Sequence, residues 1–400
     1  MYLFTSEVVS PGHPDKCADI IADSIVDTIL MQDSNARIAS EVFLAGKNII
    51  IGGEINSKVK LSFGDYAKIV ESALFHIGYK GLPYFTKEQC LHPEDIEVKV
   101  CINQQSPDIN QGVDQKDGEI GAGDQGIMFG FASSEAKEFM PAAITYARML
   151  CDKVYKFAKA NPDKLGVDIK TQVTIDYGTK ENFENCHPQS IHTIVVSAPS
   201  VQSMDIATLR ALIQDLIDDA GLPKNLYNKD KTIIYINPTG RYVNHSSLHD
   251  SGLTGRKLIV DSFGGYAPIG GGAQSSKDYT KVDRSGLYAA RYIAKNIVAA
   301  GLAKKCIVQL SYAIGVARPT SVSVDTMGTQ VSGIDDDMLS KFVMDKFPLT
   351  PKWITQKFGL DKPSKDTFLY AKVAALGQVG NAKYPWEKLD SVEIFKSLLK

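Results

Sequence analysis

The run Gly12-His13-Pro14-Asp15-Lys16 leads directly into an amphipathic stretch carrying Ile20, Ile21, Ile25 and Ile29. An imidazole and a carboxylate therefore sit at the start of a helix, where free backbone N–H groups and the dipole favour an anion. The same residues serve equally as a plain cap, with Asp15 at the N-cap and Pro14 in the first turn. A second concentration lies between 237 and 284, where Arg241, Arg256, Lys257, Lys277, Lys281 and Arg284 alternate with Asp250, Asp261, Asp278 and Asp283 among many glycines. Glycine permits close backbone approach, and forked and point cations suit phosphate oxygens. Aspartates mixed with these cations are what Mg²⁺ plus a polyphosphate requires. A solvated basic loop is the plain alternative.

Gly121-Ala122-Gly123-Asp124-Gln125-Gly126 fits G-x-G-x-x-G, but polar Asp114–Glu119 precedes it and strand-like Ile127–Phe131 follows it. The dinucleotide fingerprint needs the reverse order, so a glycine turn is the reading, with Asp124 free to face a ligand. No Walker sequence occurs. His245 and His249 have metal-pair spacing but no helical period around them, and read as surface histidines. Glu41 and Glu54 lie inside apolar strands, where each carboxylate needs a cation or a donor; a structural salt bridge would answer that need as well as a ligand.

The elements that must position these residues form a pattern. Strand pairs are expected at Arg37–Leu44 with Asn48–Asn56, Lys170–Tyr177 with Ile191–Ala198, and Cys306–Ile314 with Thr320–Thr326. Helices are expected before them at Asp15–Met31, Ser134–Ala160 and Asp283–Ala300, and after them near Tyr66–Ile77, Asp205–Ala220 and Asp335–Lys346. A further strand closes each unit, at Asp95–Asn103, Lys231–Asn237 and Thr367–Ala375. The near-constant spacing suggests three copies of one α/β unit, with sheets facing a shared centre and helices on one face of each, an α+β arrangement. The long polar segments Gln104–Gly126 and Asn237–Gly255 are candidates for function.

With 44% apolar, 22% charged and 9% aromatic residues in 400, the chain has globular composition, which excludes disorder and coiled coil. A net charge of −2 gives no reason to expect nucleic acid or an acidic membrane as partner. No apolar run is long enough to span a bilayer, and Met1–Glu7 lacks the features of a signal peptide, so a cytoplasmic location is expected. Cys17, Cys90, Cys101, Cys151, Cys186 and Cys306 are widely separated, as buried free thiols would be.

In their order along the chain, Gly12–Lys16, Gln105-Ser106-Pro107-Asp108-Ile109-Asn110-Gln111-Gly112-Val113, Gly121–Gly126, Ile236–Arg241, Gly252-Leu253-Thr254-Gly255-Arg256-Lys257 and Lys281–Ser285 resemble the S-adenosylmethionine synthetases, or methionine adenosyltransferases. The resemblance spans nearly the whole sequence. It implies an α+β fold of three structurally similar repeat domains in pseudo-threefold arrangement, taken here as 1–103, 112–236 and 237–380 with a C-terminal tail at 381–400. It further implies attack of methionine sulfur on C5′ of ATP, and cleavage of the released tripolyphosphate to pyrophosphate and phosphate. A thioether has no proton to lose, so such a site needs alignment and charge stabilisation rather than a general base.

On this resemblance, His13 donates toward the O5′ side of the triphosphate, and the catalytic set is His13, Lys170, Lys257, Lys277 and Lys281. ATP would be held by His13, Asp168, Lys170, Arg241, Tyr242, Asp250, Arg256, Lys257, Ala273 and Lys277. Tyr242 stands where the family often has Phe, and either ring stacks on adenine. Methionine would meet Glu54, Gln105, Asp124, Asp250 and Lys281. Asp15 and Asp283 would hold Mg²⁺, two ions per site, and Glu41 would hold K⁺. Departures from the family pattern fall at Asn244–Leu248, Pro268-Ile269, Gln274 and Ser276.

The stretch Gln104–Val113 resembles the family's mobile loop over the site. The implied assembly is a homo-oligomer, a dimer with shared sites or a dimer of dimers. His13 and Lys281 of one chain would face Asp250 and Lys277 of the other. Two alternatives stay open at this point: another Mg-ATP-dependent kinase or ligase, and a non-catalytic nucleotide sensor on the same fold.

Overall fold

The computed structural model describes residues 1–79, 84–104 and 119–399. Eleven strands are placed in three sheets: β1 (Leu3–Val9), β2 (Arg37–Ala45), β3 (Asn48–Asn56), β4 (Glu97–Asn103), β5 (Gly126–Ser133), β6 (Lys170–Asp176), β7 (Ser190–Ser197), β8 (Ile233–Ile236), β9 (Gly252–Leu253), β10 (Lys305–Tyr312) and β11 (Ser321–Asp325). The main helices are α1 (Pro14–Leu30), α2 (Phe63–Ile77), α3 (Ala142–Ala160), α4 (Ile206–Asp218), α5 (Val282–Ala299), α6 (Asp336–Lys346), α7 (Pro351–Phe358) and α8 (Tyr370–Leu376).

The sheet orders are β9-β2-β3-β4, β1-β6-β7-β8 and β5-β10-β11. In each, a hairpin pairs antiparallel, and an antiparallel strand from elsewhere in the chain lies against its first member. The first two sheets add a fourth, parallel strand, β4 on β3 and β8 on β7. The added antiparallel strand comes from a different unit each time: β1 joins the sheet of the second, β5 that of the third, and β9 returns to the first. This cyclic exchange is the physical basis of the pseudo-threefold arrangement.

Helices α1, α3 and α5 each pack on one of these sheets. Pro14 starts α1, and Ile21, Ile25 and Ile29 on it are at most 1% exposed, each burial contributing about 2 kcal/mol. Every residue from Val282 to Val298 of α5 is buried, so α1 and α5 form the centre. Helix α2 is peripheral: Ser62 and Asp65 close a capping box, Gly78 ends it at φ 112°, and Phe63 and Phe75 remain exposed.

Four expectations are corrected. Thr367–Ala375 is not a strand; Asp27 accepts the N–H groups of Tyr370 and Ala371 at 2.8 and 2.9 Å, which nucleates helix α8 against α1 and leaves the third sheet with three strands. Helix α3 begins only at Ala142, because Pro141 restricts the residue before it and Glu138 and Phe139 take φ of 55°. The segment set apart as a tail is part of the core: Trp386 is fully buried and stacks on Tyr288 at 3.7 Å, and Glu387 pairs with Arg291 and Lys295 at 2.9 and 2.8 Å. Five of the six thiols are buried as expected, but Cys101 is exposed on β4.

Candidate active site

The first turn of α1 is docked by glycines and by a serine. A side chain at Gly12 would lie 2.3 Å from the Val167 carbonyl, and one at Gly252 would lie 2.1 Å from that of Pro14. Ser10 Oγ donates to the Val167 carbonyl at 2.5 Å and accepts from the Ile169 amide at 2.9 Å. These approaches bring three distant segments, 12–15, 167–170 and 250–257, to one place.

There His13 is 3% exposed, and its Nδ1 accepts the Asp15 amide at 3.2 Å as the N-cap of α1. The proton assigned by that bond is on Nε2, which lies 4.0 Å from Asp250 Oδ2. Burial, reinforced by the charges of Lys257 and Lys170, lowers the His13 pKa to about 3, so the ring is a neutral donor at neutral pH. Asp15 accepts from the Leu253 amide at 3.0 Å and from Lys257 Nζ at 2.6 Å, with Arg256 Nε at 3.4 Å. Burial raises the Asp15 pKa, but the Lys257 hydrogen bond and the Leu253 amide outweigh it and hold the group below the ordinary carboxylate value.

Asp15 is the first of four aspartates at every fourth position of α1. Asp19 accepts from the Gly255 amide at 3.0 Å, Asp23 from the Ser276 amide at 2.9 Å and Arg284 Nη2 at 2.5 Å, and Asp27 from the start of α8. All four are at most 4% exposed. Through Asp15, Asp19 and Asp23 the helix clamps the segment between 253 and 284, while Asp27 holds α8.

Beside His13 opens a cavity of about 270 Å³ lined by Asp168, Lys170, Ser197, Tyr242, Asn244, His245, Ser246, His249 and Asp250. Asp168 Oδ1 is buried with no hydrogen-bond partner, while Oδ2 accepts weakly from the Ser246 amide at 3.4 Å. Burial pushes the Asp168 pKa up to about 7 against the opposing charge of Lys170. Tyr242 forms one wall, its hydroxyl donating to the Asp168 carbonyl at 3.0 Å.

A second cluster gathers on the outer face of the β9-β2-β3-β4 sheet. Glu54 stands opposite Ala39 and Lys277 bridges to Ala39, so both share the face of Glu41, with Phe43 and Leu253 beside them. Glu41 accepts from the Thr254 hydroxyl and, at 3.5 Å, from Ser276 Oγ. Lys277 Nζ pairs with Asp283 at 2.7 Å. A side chain at Gly272 would fall 2.2 Å from the Asp283 carboxylate, so the loop crosses close over it there. Asp124 is exposed on a loop whose Gly123 amide donates to the Thr280 carbonyl at 3.0 Å.

Several expected residues fall elsewhere than the sequence suggests. Within the chain His13 adjoins Asp250 at 4.0 Å and Lys277 pairs with Asp283, rather than His13 grouping with Lys281 and Asp250 with Lys277. Lys281 is buried against Asp278 at 2.5 Å. Arg241 donates to the carbonyls of Gln202 and Met204 rather than into the cavity. Ala273 abuts Gly255, whose side-chain position would lie 2.6 Å from the Ala273 methyl. His245 is not a surface residue but 4% exposed, its Nδ1 paired with the Val243 carbonyl at 2.8 Å, whereas His249 is exposed as expected. Gln105 and residues 105–113 of the expected mobile loop lie outside the described residues.

Sequence reading missed Asp19, Asp23 and Asp27, although their spacing from Asp15 on a largely apolar helix was a visible signal. It also missed Thr254 and Ser276 at Glu41, which no local pattern announces.

The chain matches the N-terminal domain of S-adenosylmethionine synthetase over residues 1–107, the central domain over 119–242 and the C-terminal domain over 245–388. It is 42% identical to the S-adenosylmethionine synthase of Chlorobium phaeobacteroides over 100% of this chain and 98% of that protein. The solved structure of an S-adenosylmethionine synthetase from Campylobacter jejuni, described as unusual, is 71% identical over the full length of both chains and superposes with a TM-score of 0.96. With all three domains matched in order around the clustered His13, Asp15, Lys170 and Lys257, the chain belongs to the S-adenosylmethionine synthetase family and is a methionine adenosyltransferase.

Proposed function

We propose that the two clusters are the two halves of one ATP and methionine site, completed between copies of the chain. The observation that carries this reading is His13: a buried neutral imidazole with Nδ1 occupied by the helix and Nε2–H directed toward Asp250, among the charges of Lys170 and Lys257. A donor fixed in that way stabilises charge growing on the leaving oxygen without proton transfer, which is what a thioether nucleophile demands.

The roles follow the chemistry of each side chain. The adenosine end occupies the cavity between Tyr242 and Asp168, whose unpaired Oδ1 is an acceptor for an exocyclic amine. Lys170, Arg256 and Lys257 meet the phosphates on the His13 side; Lys277 meets them from the other half, with Ala273 and Arg241 at the margins of the nucleotide. Glu54, Asp124 and Lys281 receive methionine together with Gln105, and Asp250 borders both substrates. After adenosyl transfer, the cation set retains tripolyphosphate long enough for its cleavage to pyrophosphate and phosphate.

Among the described residues, no three His, Cys, Asp or Glu side chains converge as a ready-made metal site. Asp15, paired with Lys257 and Arg256, and Asp283, paired with Lys277, are nevertheless hard donors, which fits Mg²⁺ held by one carboxylate and phosphate oxygens, two ions per site. When bound, Mg²⁺ neutralises charge on the phosphate oxygens. The oxygens of Glu41, Thr254 and Ser276 fit K⁺.

A homodimer with shared sites, or a dimer of dimers, is supported by the sheet face carrying Glu41, on which Phe43 and Leu253 are each 36% exposed. No helix among the described residues is long and apolar enough to cross a membrane, and the reading assigns the protein to the cytoplasm with three repeat domains, 1–103, 112–236 and 237–380. The test is incubation with ATP, methionine, Mg²⁺ and K⁺. A sulfonium product with equal pyrophosphate and phosphate is expected; intact tripolyphosphate as the final product would refute the hydrolytic step, and ADP or AMP would refute the whole reading.

A further inference from the structure

Lys16 follows Asp15 in the Gly12–Lys16 motif, and the fold turns its side chain inward. Its side chain is 2% exposed, and Nζ donates to Asp261 at 2.5 Å and to Asp19 at 3.1 Å. Asp19 in turn accepts the Gly255 amide at 3.0 Å. Gly255 has φ 75°, and a side chain there would lie 2.6 Å from the Ala273 methyl, so the position takes only glycine without strain. Asp261 closes the short turn that begins after Lys257, its amide donating to the Lys257 carbonyl at 2.9 Å and its carbonyl accepting the Gln378 amide at 2.8 Å.

One buried ammonium thus ties together carboxylates that fix both ends of the segment Gly255–Asp261. Between those ends stand Arg256 and Lys257, which reach back to Asp15. We infer that Lys16 is a positioning residue, which touches no substrate but sets the aim of Arg256 and Lys257 at the phosphate side of the site. Two long, flexible cations hold phosphate well only if their backbone is fixed, because an error near 1 Å in a positioned charge costs far more than the charge's own flexibility recovers. Lys16 therefore acts through Lys257 on the polyphosphate and leaves the methionine half untouched.

This inference rests on the proposed reading of Arg256 and Lys257, and a double-mutant cycle separates the two. Binding of tripolyphosphate with Mg²⁺ is measured by calorimetry on the full-length protein for Lys16→Met, Lys257→Ala and the double variant. We expect about a tenfold loss for Lys16→Met, with an unchanged methionine KM, and a clearly smaller further loss when Lys16→Met is added to Lys257→Ala, since only Arg256 is then left to misplace. Asp19→Asn leaves Lys16 paired with Asp261 and weakens only the Gly255 anchor; it provides the same cycle should Lys16→Met not fold, with a smaller loss. Additive losses in the cycle, or a folded Lys16→Met or Asp19→Asn that binds tripolyphosphate like the parent, would overturn the positioning role. If Lys257→Ala itself binds tripolyphosphate like the parent, the phosphate-side reading falls and the role of Lys16 falls with it.

Discussion

Replacing His13 by asparagine separates its two duties. The Nδ1 atom caps α1 by accepting the Asp15 amide at 3.2 Å, and asparagine is a good N-cap, so its side-chain oxygen can keep that bond. The shorter side chain cannot also extend a donor to where Nε2 now lies, 4.0 Å from Asp250. His13→Asn should therefore keep the fold and lose one preorganised donor aimed at the leaving oxygen. Removal of such a donor costs on the order of 10²–10³ in the chemical step, or about 3–4 kcal/mol. The loss belongs to the transition state, so the affinity for ATP should change only a few-fold. His13→Ala removes the cap as well and should be less stable than His13→Asn by about 1 kcal/mol. Single-turnover quenched flow for the sulfonium product, ATP titration and thermal melts of both variants provide the three readouts. A chemical step in His13→Asn within about threefold of the parent, or a loss seen entirely in ATP affinity, would refute the assignment of His13 as the leaving-group donor.

Glu41→Val should blunt activation by K⁺ while the Mg²⁺ requirement persists, because it removes the carboxylate from the Thr254 and Ser276 oxygens but touches neither Asp15 nor Asp283; paired salt titrations of activity decide it. His13→Asn and Lys277→Ala, each inactive alone, should recover roughly a quarter of parental activity when dissociated and mixed, since half the dimers are then hybrid with one of two sites intact. No recovery in hybrids verified by mass spectrometry would place both residues in one site of one chain. Burial lowers the His245 pKa to about 4, below its unfolded value, so between these values the unfolded chain binds more protons and stability rises with pH. Its contribution is complete above about pH 6.5 and is lost toward pH 4 at up to about 1.4 kcal/mol per pH unit. NMR titration of the ring should show no protonation between about pH 5.5 and 8, and a midpoint near 6.5 would refute the buried placement.

The order of motifs along 400 residues was enough to identify the family, because each motif combines a backbone requirement with a charge and chance rarely repeats six such combinations in sequence. Local physics also marked the repeats: a hydrophobic period and cap signals located α1, α2 and α4 and the three hairpins, since those patterns depend only on near neighbours. Thr367–Ala375 shows where local physics stops. Its apolar and aromatic residues suit a strand, and only the distant Asp27 carboxylate, meeting two of its amides, makes it a helix.

The site divided in the same way. The types of His13, Asp15, Glu41 and Asp283 announced donors and hard ligands, but not which would meet. That was decided by β9 returning to pair with β2, and by glycines 12 and 252 allowing backbones to touch. These contacts put Asp250 beside His13, sent Lys277 to the other cluster, and turned Lys16 into a buried pair with Asp261. Side-chain type is a property of one residue, whereas a partner more than 200 positions away in sequence is a property of strand exchange and close packing, which no window of sequence contains.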